Sequence, residues 1–333
     1  MTSIAIILPD KSKDYIANSV LDGFRALEHT GDYFVRISPR FIPIADYADW
    51  ELEEGAFIEF AKKADLILYI HAKYTSRELV DKIGLWDKTI TIDGHEVGKD
   101  NRYDFTIQKG LLDGTFKSGG SIQQDLLAKC RRYFRRERPY IDGIIPFPFA
   151  IEKRFMKYVP GQKKDIDFTC IFGQDEHPLM RRYATEMLES YCAKNGFTCM
   201  TAKTNHILLN RDFRNTKSQA KFHDILARTK VGVSVGGSGF DTLRFWEILA
   251  NNCVLLTESI DIYDLGSDAL KFKRIFEFKN LFEFKYQLEE LGKLIKSGRI
   301  DDYLGQGEYT AILDKHLSGP RVRELVRISL QPK

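Results

Sequence analysis

Three glycines within four residues, Gly236, Gly237 and Gly239, stand between an apolar run ending at Val235 and a stretch of helical spacing that starts near Asp241. A turn with so few side chains lets backbone amides approach a ligand closely, and the helix start beyond it suits phosphate. The spacing fits neither G-x-x-x-x-G-K-[ST] nor G-x-G-x-x-G, so neither of those two nucleotide motifs is present here. Ser238, Asp241 and Thr242 add polar groups to the same turn, and Ser238 or Asp241 could equally serve as the helix cap. Arg244 and Glu247 follow at i, i+3. They are either a charge pair on a solvated face, or a guanidinium for a diphosphate beside a carboxylate for sugar hydroxyls. Trp246 belongs in the core.

A second group could move protons. His71, Asp93 and His95 each fall at the carboxyl end of a predicted strand. A histidine titrates near neutrality and takes a proton directly, and a carboxylate within hydrogen-bond reach can do the same. Each could instead be a loop residue satisfied by backbone amides. His95-Glu96 opens like a metalloprotease helix, but position 99 is Lys where a second histidine would be needed, which removes zinc hydrolysis. Lys129–Arg138 holds six basic residues and two aromatics, and it is expected to form a helix that is solvated or meets a polyanion.

The elements that must position these groups alternate between strand and helix. The first half reads as strand 4–8, helix 14–29, strand 33–37, helix 51–63, strand 65–71, strand 88–92, helix 121–138 and strand 142–145, with a glycine-rich loop over 94–120. The second half reads as strand 167–172, helix 178–195, strand 197–201, helix 217–229, strand 231–235, helix 241–251, strands 253–257 and 274–278, and three closing helices over 281–330. Such alternation implies right-handed crossovers and parallel sheets covered on both faces. The expected fold is α/β, with two doubly wound Rossmann-like domains facing a cleft and C-terminal helices closing the fold. A Pro160-Gly161 turn followed by charge divides the chain into 1–160 and 161–333. Ligands of open parallel sheets sit beyond the carboxyl ends of the strands, which directs attention to the loops after 8, 70, 92, 172, 235 and 256.

Composition narrows the class. The 333 residues are 43% hydrophobic and 29% charged with a formal net charge of +3, which excludes global disorder and leaves nucleic acid neither required nor forbidden. No apolar run approaches the ~20 residues of a membrane span. The five cysteines include no C-x-x-C pair, and with no basic leader before the first strand the expectation is a reduced, cytoplasmic protein, with a peripheral place at the inner membrane face also open.

The segment G-G-x-G-x-D-T-x-R-x-W-E-x-L-A from Gly236 to Ala250, followed by a strand and Thr257-Glu258, resembles the donor-site segment of GT-B glycosyltransferases. It is most similar to bacterial transferases of the glycosyltransferase family 1 and spore-maturation CgeB-like type. Other segments are similar too: Thr89–His95, Tyr133–Glu137 with Ile145–Phe149, Phe168–Gly173 with His177 and Arg181, and Leu317–Leu325. The resemblance implies transfer of a sugar from a nucleotide-diphosphate donor, UDP- or GDP-sugar first, to an acceptor hydroxyl, with no metal and no further cofactor. It also implies that the second domain binds the donor through Gly173, Arg181, Gly236, Gly237, Ser238, Gly239, Asp241, Thr242, Arg244 and Glu247. The first domain would then meet an acceptor (a glycan, a lipid-linked sugar or a protein) and supply the base, in the order Asp93, His95, His71. Lys203 and Arg182 fit surface charges better than donor ligands. Related retaining enzymes carry a Glu-x7-Glu pair, but no glutamate stands at that spacing after Glu247, where the chain reads Val254-Leu255, so the stereochemical outcome stays open. Two other readings are a nucleotide-binding protein without catalysis and a transferase acting on nucleic acid, the latter supported by the basic run alone.

Overall fold

The computed structural model describes residues 1–9, 14–39, 47–71, 76–96, 122–137, 142–173, 179–203, 216–237, 239–260, 262–263 and 267–332. The expected glycine-rich loop over 94–120 and the 201–214 segment therefore lie largely outside the described residues, as do Ser238 and His177 and the side chain of Lys203. The chain forms two compact units, Met1–Ala150 with Asp261–Asp264 and Ser318–Lys333, and Ile151–Ile260 with Leu265–Leu317.

The first unit runs β1 (Thr2–Ile7), α1 (Tyr15–Leu27), β2 (Tyr33–Ile37), α2 (Glu54–Lys63), β3 (Leu66–His71), α3 (Glu78–Ile83), β4 (Thr89–Asp93), α4 (Gln124–Lys129), β5 (Arg132–Arg135) and β6 (Ile144–Pro146). The strands are all parallel, in the order β2-β1-β3-β4-β5-β6. β3 is apolar on both faces and buried from Leu66 to Ile70, as a central parallel strand covered by helices must be. Asp14 starts α1 by accepting the Ala17 amide at 2.8 Å, and Ile16, Val20, Phe24 and Leu27 bury the helical stripe read from the sequence.

The second unit runs β7 (Ile166–Phe172), α5 (Leu179–Asn195), β8 (Cys199–Lys203), α6 (Thr216–Ala227), β9 (Thr229–Ser234), α7 (Leu243–Leu249), β10 (Val254–Glu258), β11 (Ile275–Phe278), α8 (Leu281–Lys296) and α9 (Gln306–His316). Its sheet is also parallel, in the order β8-β7-β9-β10-β11. Phe168, Val231, Val233, Leu256, Phe278, Phe284 and Leu288 form its core. Counted within each unit, the two sheets share one order, with the second strand outermost, then the first, third, fourth and fifth. Each therefore changes winding direction between its first and third strands.

The last helix, α10 (Ser318–Leu330), belongs to the first unit and packs on α1. Gly23 makes this close approach possible, because a Cβ there would meet the Ser318 carbonyl oxygen at 2.5 Å. The first unit thus runs to Ala150 and takes in α10 as well.

One expected element is different. The basic run is not a helix over 121–138: α4 stops at Lys129 and residues 132–135 form β5. Its described arginines are engaged inside the unit. Arg131 donates to the Ser329 and Leu330 carbonyls and Arg132 to those of Gln331 and Pro332, which anchors the end of α10. Arg135 is fully buried, and Arg136 pairs with Glu96 at 2.8 Å. Sheet pairing overrides local helical preference here, and the polyanion-binding role loses the helix on which it rested. No helix among the described residues is long and apolar enough to cross a membrane.

Candidate functional site

Open parallel sheets bind ligands outside the carboxyl ends of their strands, where the winding reverses. In the second unit that point lies between β7 and β9, which puts Gly173 after β7 and Val235–Gly237 with Gly239 after β9 at its edges. Arg181, on the first turn of α5, joins the two edges. Its guanidinium donates to the Gly173 carbonyl at 2.9 Å, to Gly236 at 3.0 Å and to Val235 at 3.2 and 3.3 Å, and lies over the Phe172 ring. Arg181 is 7% exposed, and these hydrogen bonds to backbone tie the two loops together.

The glycine turn is held from its other side by a residue absent from the expected set. Glu258, the last residue of β10, accepts the Gly236 amide at 3.0 Å while 5% exposed. The Gly237 amide donates to the Gly239 carbonyl at 2.9 Å. The signal for Glu258 was a charged residue ending an apolar strand beside β9. α7 starts at Leu243 with Thr242 as its cap residue, and no side-chain capping bond forms there. Thr242 Oγ1 lies 3.2 Å from Ser234 Oγ. Asp241 is neither cap nor open ligand: it is 3% exposed and accepts the indole N–H of Trp246 at 2.8 Å. Trp246 itself is fully buried, as expected.

Arg244 and Glu247 form the i, i+3 pair at 2.6 Å, but not on a solvated face, since their side chains are only 14% and 11% exposed. The Arg244 guanidinium lies 3.8 Å over the Phe222 ring of α6. The other Glu247 oxygen is 2.9 Å from Nε2 of His223, also on α6. Burial alone would raise the Glu247 carboxyl, but the Arg244 charge and the His223 hydrogen bond outweigh it and hold it down at about 2. The carboxylate is therefore ionised at neutral pH and oriented from both sides. A lone histidine on an amphipathic helix gave no sequence signal for this contact. Arg182, by contrast, pairs with Glu186 on the exposed side of α5, as expected of a surface charge.

In the first unit, the three expected proton-moving residues come together at the carboxyl edge of the sheet. His71, Asp93 and Arg135 are register partners across β3, β4 and β5. Asp93 is fully buried and its carboxylate accepts from Arg135 at 2.6 Å, Tyr133 Oη at 2.6 Å and the His95 amide at 2.9 Å. His95 Nδ1 lies 2.8 Å from the same carboxylate. Burial would raise the Asp93 carboxyl, but Arg135 and His95 hold it far below the usual carboxylate range. A carboxylate so enclosed and so acidic is a poor proton acceptor, so the order with Asp93 first does not suit this geometry.

An ionised Asp93 can only accept, so Nδ1 of His95 carries a hydrogen, and in the neutral imidazole the lone pair is then on Nε2. The His95 side chain is 16% exposed. A carboxylate fixing the tautomer of an accessible imidazole is the usual way to prepare a histidine base. The His71 ring stands 4.9 Å from that of His95, and burial pushes its pKa down to about 4. His71 is thus neutral at pH 7 and adds no charge to repel a proton arriving on His95. Among the described residues no group of three His, Cys, Asp or Glu could hold a metal ion.

Comparison with known proteins places this geometry in a fold. No protein-family model and no curated protein sequence matches the chain. Solved structures do match over nearly the whole length. One is an alpha-glucosyltransferase in complex with UDP and a 13-mer DNA containing an A:G mismatch, with TM-score 0.61, 11% identity and 99% of each chain covered. Another is a glycosyltransferase from Rickettsia africae ESF-5, with TM-score 0.55, 8% identity, and 98% of this chain and 97% of that one covered. A third is HepE of Anabaena in complex with UDP, with TM-score 0.55, 7% identity, and 98% of this chain and 99% of that one covered. The chain has the GT-B glycosyltransferase fold. At such identities the likeness is one of architecture, and within that GT-B frame the chemistry must be argued from the residues above.

Proposed function

We propose that the chain is a glycosyltransferase that moves a sugar from a nucleotide-diphosphate donor, UDP-sugar first, to an acceptor hydroxyl. One observation carries the reading: the glycine turn 235–239 borders the crevice where the second sheet reverses, in a chain whose fold matches UDP-bound glycosyltransferases along its whole length. We assign donor binding to the second unit and acceptor activation to the first. The backbone of Gly236–Gly239 and the guanidinium of Arg244 meet the diphosphate, and the ionised Glu247 accepts hydrogen bonds from sugar hydroxyls. Gly173 and Arg181 keep the turn in place. His95, oriented by Asp93, takes the proton of the attacking hydroxyl while the leaving diphosphate gains charge. Arginine and backbone amides supply that stabilisation, so the reaction is proposed to run without a metal and without a further cofactor. The narrower likeness to family 1 and CgeB-like transferases rests on the Gly236–Ala250 residues. The acceptor class is a glycan, a lipid-linked sugar or a protein. With Arg131, Arg132, Arg135 and Arg136 engaged inside the first unit, no observation favours nucleic acid through the basic run.

The test is thermal stabilisation against UDP, GDP, ADP, TDP and CMP. A ligand bound only by the folded chain stabilises it by about 2.7 kcal/mol at a hundredfold excess over Kd. UDP is expected to raise the melting temperature, and Arg244→Ala is expected to weaken UDP binding by about 1.5–3 kcal/mol, the loss of one charged hydrogen bond. No shift with any nucleotide would reject the donor assignment. Unchanged affinity in a folded Arg244→Ala variant would remove Arg244 from the site.

A further inference from the structure

The end of α5 turns back into β8 through three residues, and a cysteine stands on each side of that turn. Cys192 lies in the last turn of α5, and Cys199 is the first residue of β8. Gly196 makes the reversal in the left-handed region, at φ 73°, and the Phe197 amide donates to the Cys192 carbonyl at 3.1 Å. The Tyr191 and Phe197 rings stack across the turn at 5.7 Å, and both meet the Phe168 ring edge-on. This packing holds the two thiols together, and they share a hydrogen bond. Cys192 is 2% exposed, whereas Cys199 is half-buried. The hydrogen bond from Cys192 holds the Cys199 thiol below its ordinary range, outweighing burial and the Glu189 charge. The same bond, with burial, pushes Cys192 up, so Cys192 donates and Cys199 carries the thiolate character. Cys170 on β7 is held apart by its contact with Thr185 Oγ1 at 3.4 Å, and burial pushes its pKa up to about 12.

We propose that Cys199 and Cys192 form a reversible oxidation site, in which Cys199 is oxidised by a peroxide and Cys192 then closes on it as a disulfide. The proposal does not depend on the donor-site reading. In the first step the Cys199 sulfur attacks one oxygen of hydrogen peroxide; an S–O bond forms, the O–O bond breaks, and hydroxide leaves to become water with the thiol's proton. In the second step the Cys192 sulfur attacks the Cys199 sulfur of that sulfenic acid. The S–S bond forms as the S–O bond breaks, and the leaving hydroxide takes the Cys192 proton as water. Two thiols are oxidised and one peroxide is reduced to two waters. An accessible thiol with no neighbour goes on to sulfinic acid, which thiol reductants do not reverse. The position of Cys192 stops the oxidation one step earlier, at a bond that thiol exchange reopens.

Treatment of the full, folded chain with hydrogen peroxide, followed by intact mass and peptide mapping, tests the pair. The unaltered chain is expected to lose two hydrogens, with Cys192 joined to Cys199, and to regain them in dithiothreitol. Cys192→Ser is expected to take up oxygen at Cys199 instead and to end as the sulfinic acid, which dithiothreitol does not reverse. Cys192→Ala replaces it if the serine variant does not fold. Cys199→Ser is expected to leave Cys192 reduced, because that thiol is buried and protonated. Two results would overturn the pairing in the unaltered chain: oxygen uptake at Cys199 with no disulfide, or a disulfide that joins any other two cysteines. It is also overturned if Cys199 stays reduced in peroxide that oxidises free cysteine completely. A Cys192 variant whose Cys199 stops at a form that dithiothreitol restores would remove Cys192 as the resolving thiol.

Discussion

His95→Ala is expected to slow sugar transfer by roughly 10²–10⁴-fold while leaving UDP affinity unchanged, the range general-base catalysis usually contributes. The split follows from where the residue sits. His95 lies at the carboxyl edge of the first sheet, its Nδ1 committed to Asp93 at 2.8 Å, which puts the lone pair of the neutral ring on Nε2. The proposed donor ligands all belong to the second unit. Asp93→Asn is expected to reproduce part of the loss, because an amide no longer imposes one tautomer on the imidazole. The measurement is turnover with a UDP-sugar alongside UDP titration of the same folded variants. Full turnover in His95→Ala would remove it as the base, and a matching fall in UDP affinity would show that the residue acts on donor binding.

Much of this arrangement could be read in the chain, and the part that could not has a physical cause. Strand–helix alternation gave the parallel α/β class, because covered strands such as Leu66–Ile70 must be apolar on both faces. The glycine turn and the i, i+3 spacing of Arg244 and Glu247 pointed to the second crevice. What failed was long-range pairing. Arg135 was expected on a solvated helix, whereas β5 brings it opposite Asp93 in register, 42 residues away in sequence. No local pattern announces such a partner. The reach of Arg181 to the Gly173 and Gly236 carbonyls, and that of His223 to Glu247, depend likewise on which strands adjoin. For that reason the chain alone shows Asp93 and Arg181 near strand ends but not their partners, His95 and Arg135 for the one and the loop carbonyls for the other.

Arg135→Met carries the largest expected loss of stability. Both partners of the Arg135–Asp93 pair are fully buried, 2.6 Å apart. Removing the cation leaves an uncompensated carboxylate inside the sheet, a change that typically costs about 3–5 kcal/mol. Asp93→Asn in the same chain is expected to recover a good part, since it removes the orphaned charge. Chemical denaturation at pH 7 measures both. A single variant within about 1 kcal/mol of the unaltered chain would contradict the role of the pair, because surface changes alone fall within that range.

The same group fixes an acid response. Asp93 is held far below its unfolded value, so its stabilisation is present above the ordinary carboxylate range and is lost as pH falls through the folded value. His71 works at milder pH. Its folded value is about 4 against roughly 6.5 unfolded, so stability is expected to fall between those values as the unfolded chain takes up the proton first. His71→Gln is expected to flatten that part of the profile.

Amide hydrogen exchange of the full chain with and without UDP bears most directly on the donor assignment. Protection is expected at Val235–Glu247, around Gly173 and along α6, the segments that border or brace the crevice of the second sheet. UDP that binds but protects only the first unit, or protects neither of these loops, would contradict it.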